Sequence, residues 1–140
     1  MLKKSSAAFC VLMVLLALFG CSHRNQTARS LVSRDVDWEK LDAIKLQYQT
    51  LYVDIEDMEV LQDILSSVTL GDTPQPAPSG WTFALCFDNK NQAVLTLEKR
   101  RTDEFYIVYG DLEYKVTACG SELYDYCLDT FHQKGFAIDP

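Results

Sequence analysis

The sequence predicts an α+β fold, with an antiparallel meander sheet of about four to five strands and two helices packed on one face. Between Trp81 and Thr117, apolar residues alternate with polar ones in neighbouring segments that short turn signals separate. Segments 57–68 and 121–134 repeat their apolar residues at helical spacing instead. Short turns between the strands favour antiparallel pairing. The apolar stripe of each helix has to be buried, and a face of the sheet provides the surface for this.

The first sheet segment, residues 44–55, alternates between apolar and polar side chains. Its apolar phase slips by one residue at Gln49 and Thr50. A single strand with a bulge explains this slip by one extra residue, and Gln-Thr is a poor two-residue hairpin turn. We therefore predict one bulged strand, with a tight hairpin as the alternative.

The first helix is predicted at residues 57–68, where Asp57 is placed to cap the first turn. Residues 69–80 follow as a long extended connection, because Pro74, Pro76 and Pro78 alternate there. The four meander strands are predicted at 81–88, 92–99, 104–109 and 112–117. The last helix is predicted to begin after Ser121 as its N-cap and to end at Gly135.

The N-terminal residues have the features of an export signal. Lys3 and Lys4 precede an apolar run from Ala7 to Phe19. This run is shorter than the stretch of about 20 residues that spans a membrane, and it has no polar face for a core helix. We therefore expect residues 1–20 to be a signal peptide that is removed.

Residues 18–21, Leu-Phe-Gly-Cys, resemble the lipobox of bacterial lipoproteins. The resemblance implies that a diacylglycerol is attached to Cys21, that signal peptidase II cleaves before it, and that the lipid bilayer is a partner. Because Ser22 follows the cysteine, the family's sorting rule implies the outer membrane of a Gram-negative host, or the outer leaflet of a Gram-positive cell membrane. Residues 41–134 resemble small Gram-positive surface lipoproteins of unknown function, and this second resemblance implies no site.

The predicted organisation is a lipidated cysteine and flexible tether at residues 21–37, followed by a single α+β domain at 38–140. Loss of Lys3 and Lys4 changes the formal net charge from −7 to −9. So acidic a chain is unsuited to nucleic acid, whose phosphates need Lys or Arg contacts. We expect no nucleic-acid partner.

The residues that could support catalysis are few. Cys86, Cys119 and Cys127 remain after processing, and we expect buried thiols rather than a disulfide framework. His132 lies about 140° around the last helix from Cys127, so the two do not form a dyad. Asp125, Asp129 and His132 share a stripe that an exposed polar helix face explains better than a metal site. We expect no enzyme, no metal and no cofactor.

The remaining candidate site is the second face of the predicted sheet. Its small, apolar or aromatic residues form a possible binding surface, made of Thr82, Ala84, Val94, Thr96, Tyr106 and Val108. The competing explanation is that residues 44–55 or the proline segment cover this face. The leading hypothesis is a membrane-anchored module that binds or inhibits an envelope or extracellular protein or glycan. The alternatives are a small hydrolase or metal-dependent enzyme that uses His132, and a structural envelope component.

Overall fold

The computed structural model describes residues 26–78, 80–88 and 92–140. It contains one sheet of eight antiparallel strands and, within these ranges, three α-helices. The strands are β1 (Ile44–Tyr48), β2 (Leu51–Asp54), β3 (Thr69–Leu70), β4 (Gln75–Pro76), β5 (Phe83–Phe87), β6 (Val94–Arg101), β7 (Glu104–Tyr109) and β8 (Leu112–Ala118). The helices are α1 (Ala28–Val32), α2 (Met58–Ser67) and α3 (Gly120–Gln133), with a 3-10 turn at Trp38–Lys40.

The predicted sheet of about four to five strands with two helices is therefore wrong. Two of the additional strands, β3 and β4, have two residues each, which is too short for alternation to be visible in sequence. Both pair with β8, and they lie in the segment 69–80 that was predicted as an unpaired connection. The meander strands β5 to β8 occur where the alternation predicts them, although β6 extends to Arg101.

A hairpin replaces the predicted bulged strand at residues 44–55. Tyr48 pairs with Leu51, so that Gln49 and Thr50 form a two-residue turn. Gln49 has a φ of 52°, and a positive φ at the first central residue is what a type II′ turn requires. A two-residue turn and a one-residue bulge shift the apolar phase equally, so the sequence pattern does not separate them.

Residues 26–37 are part of the folded domain, so the flexible tether predicted for 21–37 is wrong over this range. Ala28, Leu31, Val32 and Val36 are buried in the core. Thr27 caps α1 by accepting a hydrogen bond from the Ser30 N–H, and it also forms a bridge to Thr69. The predicted signal peptide and Cys21 lie outside the described residues.

The strand order across the sheet is β2-β1-β5-β6-β7-β8-β3. Alternation gives the sheet one face filled with large apolar side chains, which we call the core face. Phe83, at the centre of this face, lies 5.4 Å from the Tyr124 ring and 6.2 Å from the Phe131 ring of α3, measured between centroids. Trp38 contacts Phe87 edge to face at 5.5 Å, so the 3-10 turn packs on the same face.

The two longer helices begin differently. Asp57 accepts a hydrogen bond from the Val60 N–H, which confirms it as the cap of α2. The predicted Ser121 cap of α3 is wrong, because the helix starts at Gly120 after Cys119 in a left-handed conformation with φ of 63°. An added Cβ at Gly120 would lie 2.7 Å from the Phe105 ring, so close packing on β7 favours glycine there.

Candidate functional site: the open face of the sheet

The face opposite the core face carries shorter and more polar side chains, and we call it the open face. Thr96 lies between Ala84 of β5 and Val108 of β7 in the strand register. Val94 pairs with Cys86, and Tyr106 lies between Glu98 of β6 and Lys115 of β8. Because directly opposed residues share a face, the three central strands present these side chains side by side.

The structure brings most of the sequence-predicted surface together. Thr96, Tyr106 and Val108 are half-buried, and Val94 is 42% exposed. Ala84 is buried among its larger neighbours. Thr82 lies just before β5, where its hydroxyl accepts a hydrogen bond from the Lys99 N–H at 3.4 Å. The resulting patch is apolar at its centre and measures three strands in width.

Neither of the segments that could have covered the open face does so in the described residues. The β1–β2 hairpin pairs with β5 edge to edge and extends the sheet. The proline segment contributes β4, which pairs with Leu112 and Glu113 at one end of β8. As far as the described residues show, the central patch around Thr96 is therefore partly exposed.

A charged cluster occupies one end of the open face. Arg100 lies 2.9 Å from Glu98, forms a second ion pair with Glu113, and stacks 3.8 Å above the Tyr106 ring centroid. Glu113 is only 8% exposed, and Arg100 neutralises its charge. This cluster was missed because the predicted strand ended at residue 99, whereas β6 continues to Arg101 with an irregularity between Lys99 and Arg101.

The three described thiols, Cys86, Cys119 and Cys127, are unpaired. Burial raises the pKa of the Cys86 thiol, and the nearby charge of Lys45 offsets this only in part. Burial also raises the pKa of Cys127, which lies inside the core. A thiolate is the reactive form of cysteine, so both environments suppress reactivity.

His132 is exposed near the end of α3, where its Nε2 lies 3.2 Å from the backbone oxygen of Ile138. This contact links the helix to the C-terminal residues. Across residues 26–78, 80–88 and 92–140, no three His, Cys, Asp or Glu side chains are grouped as metal ligands. Asp125, Asp129 and His132 are all exposed on the surface of α3.

Two clefts lie away from the open face. The larger, about 730 Å³, is lined by α1, the 3-10 turn and α2, and Arg29 donates there to Ser66 and Gln62. The smaller, about 360 Å³, lies between the loop after β2 and the second half of α3. Lys134, the C-cap residue of α3, pairs with Glu56 across it, and this contact holds the pKa of the Glu56 carboxyl below its usual value.

Comparisons with known proteins return no family model, no curated protein and no solved structure that matches this chain. Among the described helices, none combines the length and the hydropathy needed to cross a bilayer.

Proposed function

We propose that this chain is a membrane-anchored extracytoplasmic module that binds, or inhibits, an envelope or extracellular macromolecule through the open face of its sheet. The observation that carries the proposal is the accessible patch around Thr96, which lies between Val94, Val108 and Tyr106. Apolar and aromatic side chains in a shallow surface with a charged border are typical of protein-binding sites. The anchor rests on the lipobox resemblance at Cys21.

The charged cluster supports the proposal by giving the patch a defined shape. Arg100 is held between Glu98 and Glu113 and lies flat on Tyr106, so a partner meets a preorganised guanidinium rather than a mobile one. Arginine and tyrosine are the residue types that most often contribute strongly to binding energy. Binding therefore costs little additional ordering at this end of the face.

A pair of matched variants tests the open face. Val94 and Val60 are exposed to nearly the same extent, 42% and 43%, but Val60 lies on α2 and not on the sheet. The full-length protein and its V94E and V60E variants are immobilised in detergent, and the envelope components that each one captures are identified by mass spectrometry. We expect V94E to lose a component that wild type and V60E both retain, with equal thermal midpoints for all three.

Two results would contradict the proposal. Equal capture by wild type and V94E would remove the open face as the binding surface, and loss of the same component in V60E would show that the effect of V94E is not specific to that face. The anchor is tested separately by mass spectrometry of the native protein. We expect an N-terminal Cys21 that carries acyl chains, whereas a polypeptide that retains Met1 would contradict lipid anchoring.

A further inference from the structure

The outer edge of β2 has unpaired backbone groups that are aligned for another strand. Ile55 donates a hydrogen bond to the Ile44 oxygen at 2.9 Å, so these two residues form a hydrogen-bonded pair of the β1–β2 ladder. Bonded and non-bonded pairs alternate along an antiparallel ladder. Tyr52 and Asp54 therefore turn their N–H and C=O groups away from β1, toward the edge of the sheet.

Nothing in the described part of the chain occupies these groups, since β2 is the terminal strand of the sheet and no other described backbone or side chain bonds them. The opposite edge is different. There β8 is covered by β3 and β4, and Thr27 adds a bridge to β3. Within residues 26–78, 80–88 and 92–140, the sheet thus has one edge protected and the other one unpaired. Unprotected edges are templates for strand addition.

The charges around β2 indicate the chemistry of the added strand. Asp54 ends the strand and also lines the cleft of about 360 Å³, together with Asp57 and Asp129. Among the described side chains, none of these three carboxylates has a basic group within 4.0 Å, because Lys134 pairs with Glu56. The cleft also has an apolar wall that includes Val60 and half-buried Tyr126. Such a site suits the aliphatic stem and charged head of Lys or Arg.

Two other occupants fit less well. A second copy paired in the antiparallel orientation would place the N-terminal end of its own β2, Leu51 and Tyr52, beside these carboxylates, and so would bring no basic side chain to the cleft. The chain's own N-terminal part enters the described structure at the opposite edge, where the Gln26 oxygen accepts a hydrogen bond from Leu70. The occupant that fits best is therefore an extended, basic segment of a partner protein.

We propose that β2 binds an extended basic peptide segment of a partner protein as an additional antiparallel strand, with a Lys or Arg of that segment in the cleft beside Asp54. In the antiparallel orientation, the N-terminal end of the segment lies next to the C-terminal end of β2, which is the end that carries the carboxylates. This site is separate from the central patch of the open face, so either one can be correct without the other.

The test uses a fluorescent peptide of alternating Thr and Val with Lys and Arg at its N-terminal end, and anisotropy titrations of the full chain. The decisive variants are Tyr52→Pro and Tyr52→Ala, since both remove the side chain but only proline removes the outward N–H. We expect Tyr52→Pro to weaken binding at least about tenfold relative to Tyr52→Ala. Asp54→Asn is expected to weaken binding and to reduce its salt dependence. A peptide with Glu in place of Lys and Arg should not bind.

Amide hydrogen exchange on the wild-type protein tests strand addition at β2 even if Tyr52→Pro does not fold. We expect the peptide to slow exchange at the Tyr52 and Asp54 amides and to leave Val53 unchanged, because Val53 already bonds inward to β1. Equal binding by the two Tyr52 variants, protection elsewhere, or no binding at all would overturn the inference. Dimerisation through β2 in the absence of peptide would overturn it as well.

Discussion

The two faces of the sheet are built from alternate residues of the same strands, yet different forces act on them. On the core face, Phe83, Leu85 and Phe87 of β5 are almost completely buried, and α3 adds Tyr124 and Phe131. On the open face, the residues between them are short, half-exposed or charged. Packing of large side chains therefore dominates stability on the first face, whereas one ion-pair cluster is the main fixed interaction on the second. The open face can then change in sequence without loss of the fold.

The largest expected effect comes from removing an aromatic ring on the core face. Phe83 is 1% exposed and contacts the rings of Tyr48, Tyr124 and Phe131. Phe83→Ala should lower the free energy of unfolding by about 3–5 kcal/mol, because it leaves a cavity at the centre of the aromatic cluster. The control is Tyr106→Ala on the open face, with an expected cost of about 1 kcal/mol. Urea unfolding followed by circular dichroism measures both, and equal costs would contradict the contrast between the faces.

A smaller loss is expected from adding atoms to the core face. A Cβ at Gly120 would lie 2.7–2.8 Å from the side chain of Phe105, so that α3 or β7 must shift. Gly120→Ala should therefore cost about 1–3 kcal/mol, although alanine is the better helix former. Gly71→Ala is the control, since its nearest atom would be the Lys115 oxygen at an ordinary 3.6 Å. If Gly120→Ala is instead more stable than wild type, α3 does not pack on β7 as closely as described.

The parts of the fold that could be predicted from the sequence are those in which apolar residues repeat over several residues at helix or strand spacing. The helix α2 has an unambiguous stripe and a cap at Asp57, and the meander strands alternate over several residues each. The segment that contains α1 also has apolar residues at helical spacing, Ala28, Leu31, Val32 and Val36, but their polar neighbours led to the prediction of a tether. The strands β3 and β4 have no local signal, because pairing with β8 defines them.

The same limit applies to the candidate site. Alternation alone placed Val94, Thr96, Tyr106 and Val108 on one side of their strands, and the register then sets them side by side. The ion pair between Arg100 and Glu113 joins two strands through a local irregularity in β6, which no periodic pattern describes. Whether this surface binds a partner stays a prediction.

A third prediction concerns the charged cluster, the strongest contact of the open face. Arg100→Met leaves the buried carboxylate of Glu113 without its partner, and we expect a loss of about 1–2 kcal/mol in unfolding free energy. Glu113→Gln in the Arg100→Met background should recover part of this loss, because no buried charge remains. Lys40→Met is the control, since Lys40 lies 4.0 Å from Asp37 in an exposed pair. A double-mutant cycle with no coupling between Arg100 and Glu113 would show that the cluster contributes only side-chain packing.

The smallest effect is absent at neutral pH and appears only in alkaline solution. Burial raises the pKa values of Cys127 on the core side and Cys86 on the open face, and those of Tyr124 and Tyr126 in α3. Above about pH 8.5, the unfolded chain releases these protons more readily than the folded one, so the unfolded state binds fewer protons. The free energy of unfolding therefore falls as pH rises.

Variants of the two thiols compare the two faces, because Cys127 lies on the core side and Cys86 on the open face. Cys127 is 1% exposed and Cys86 is half-buried, so desolvation of the thiolate is more complete at Cys127. Urea midpoints measured between about pH 7.5 and about pH 10.5 should decline less steeply for Cys127→Ala than for wild type, and Cys86→Ala should fall between them. Each variant is compared with its own midpoint at the lower pH, because Cys127→Ala also loses core packing there. An unchanged slope in Cys127→Ala would mean that the core face admits water around this residue before the protein unfolds.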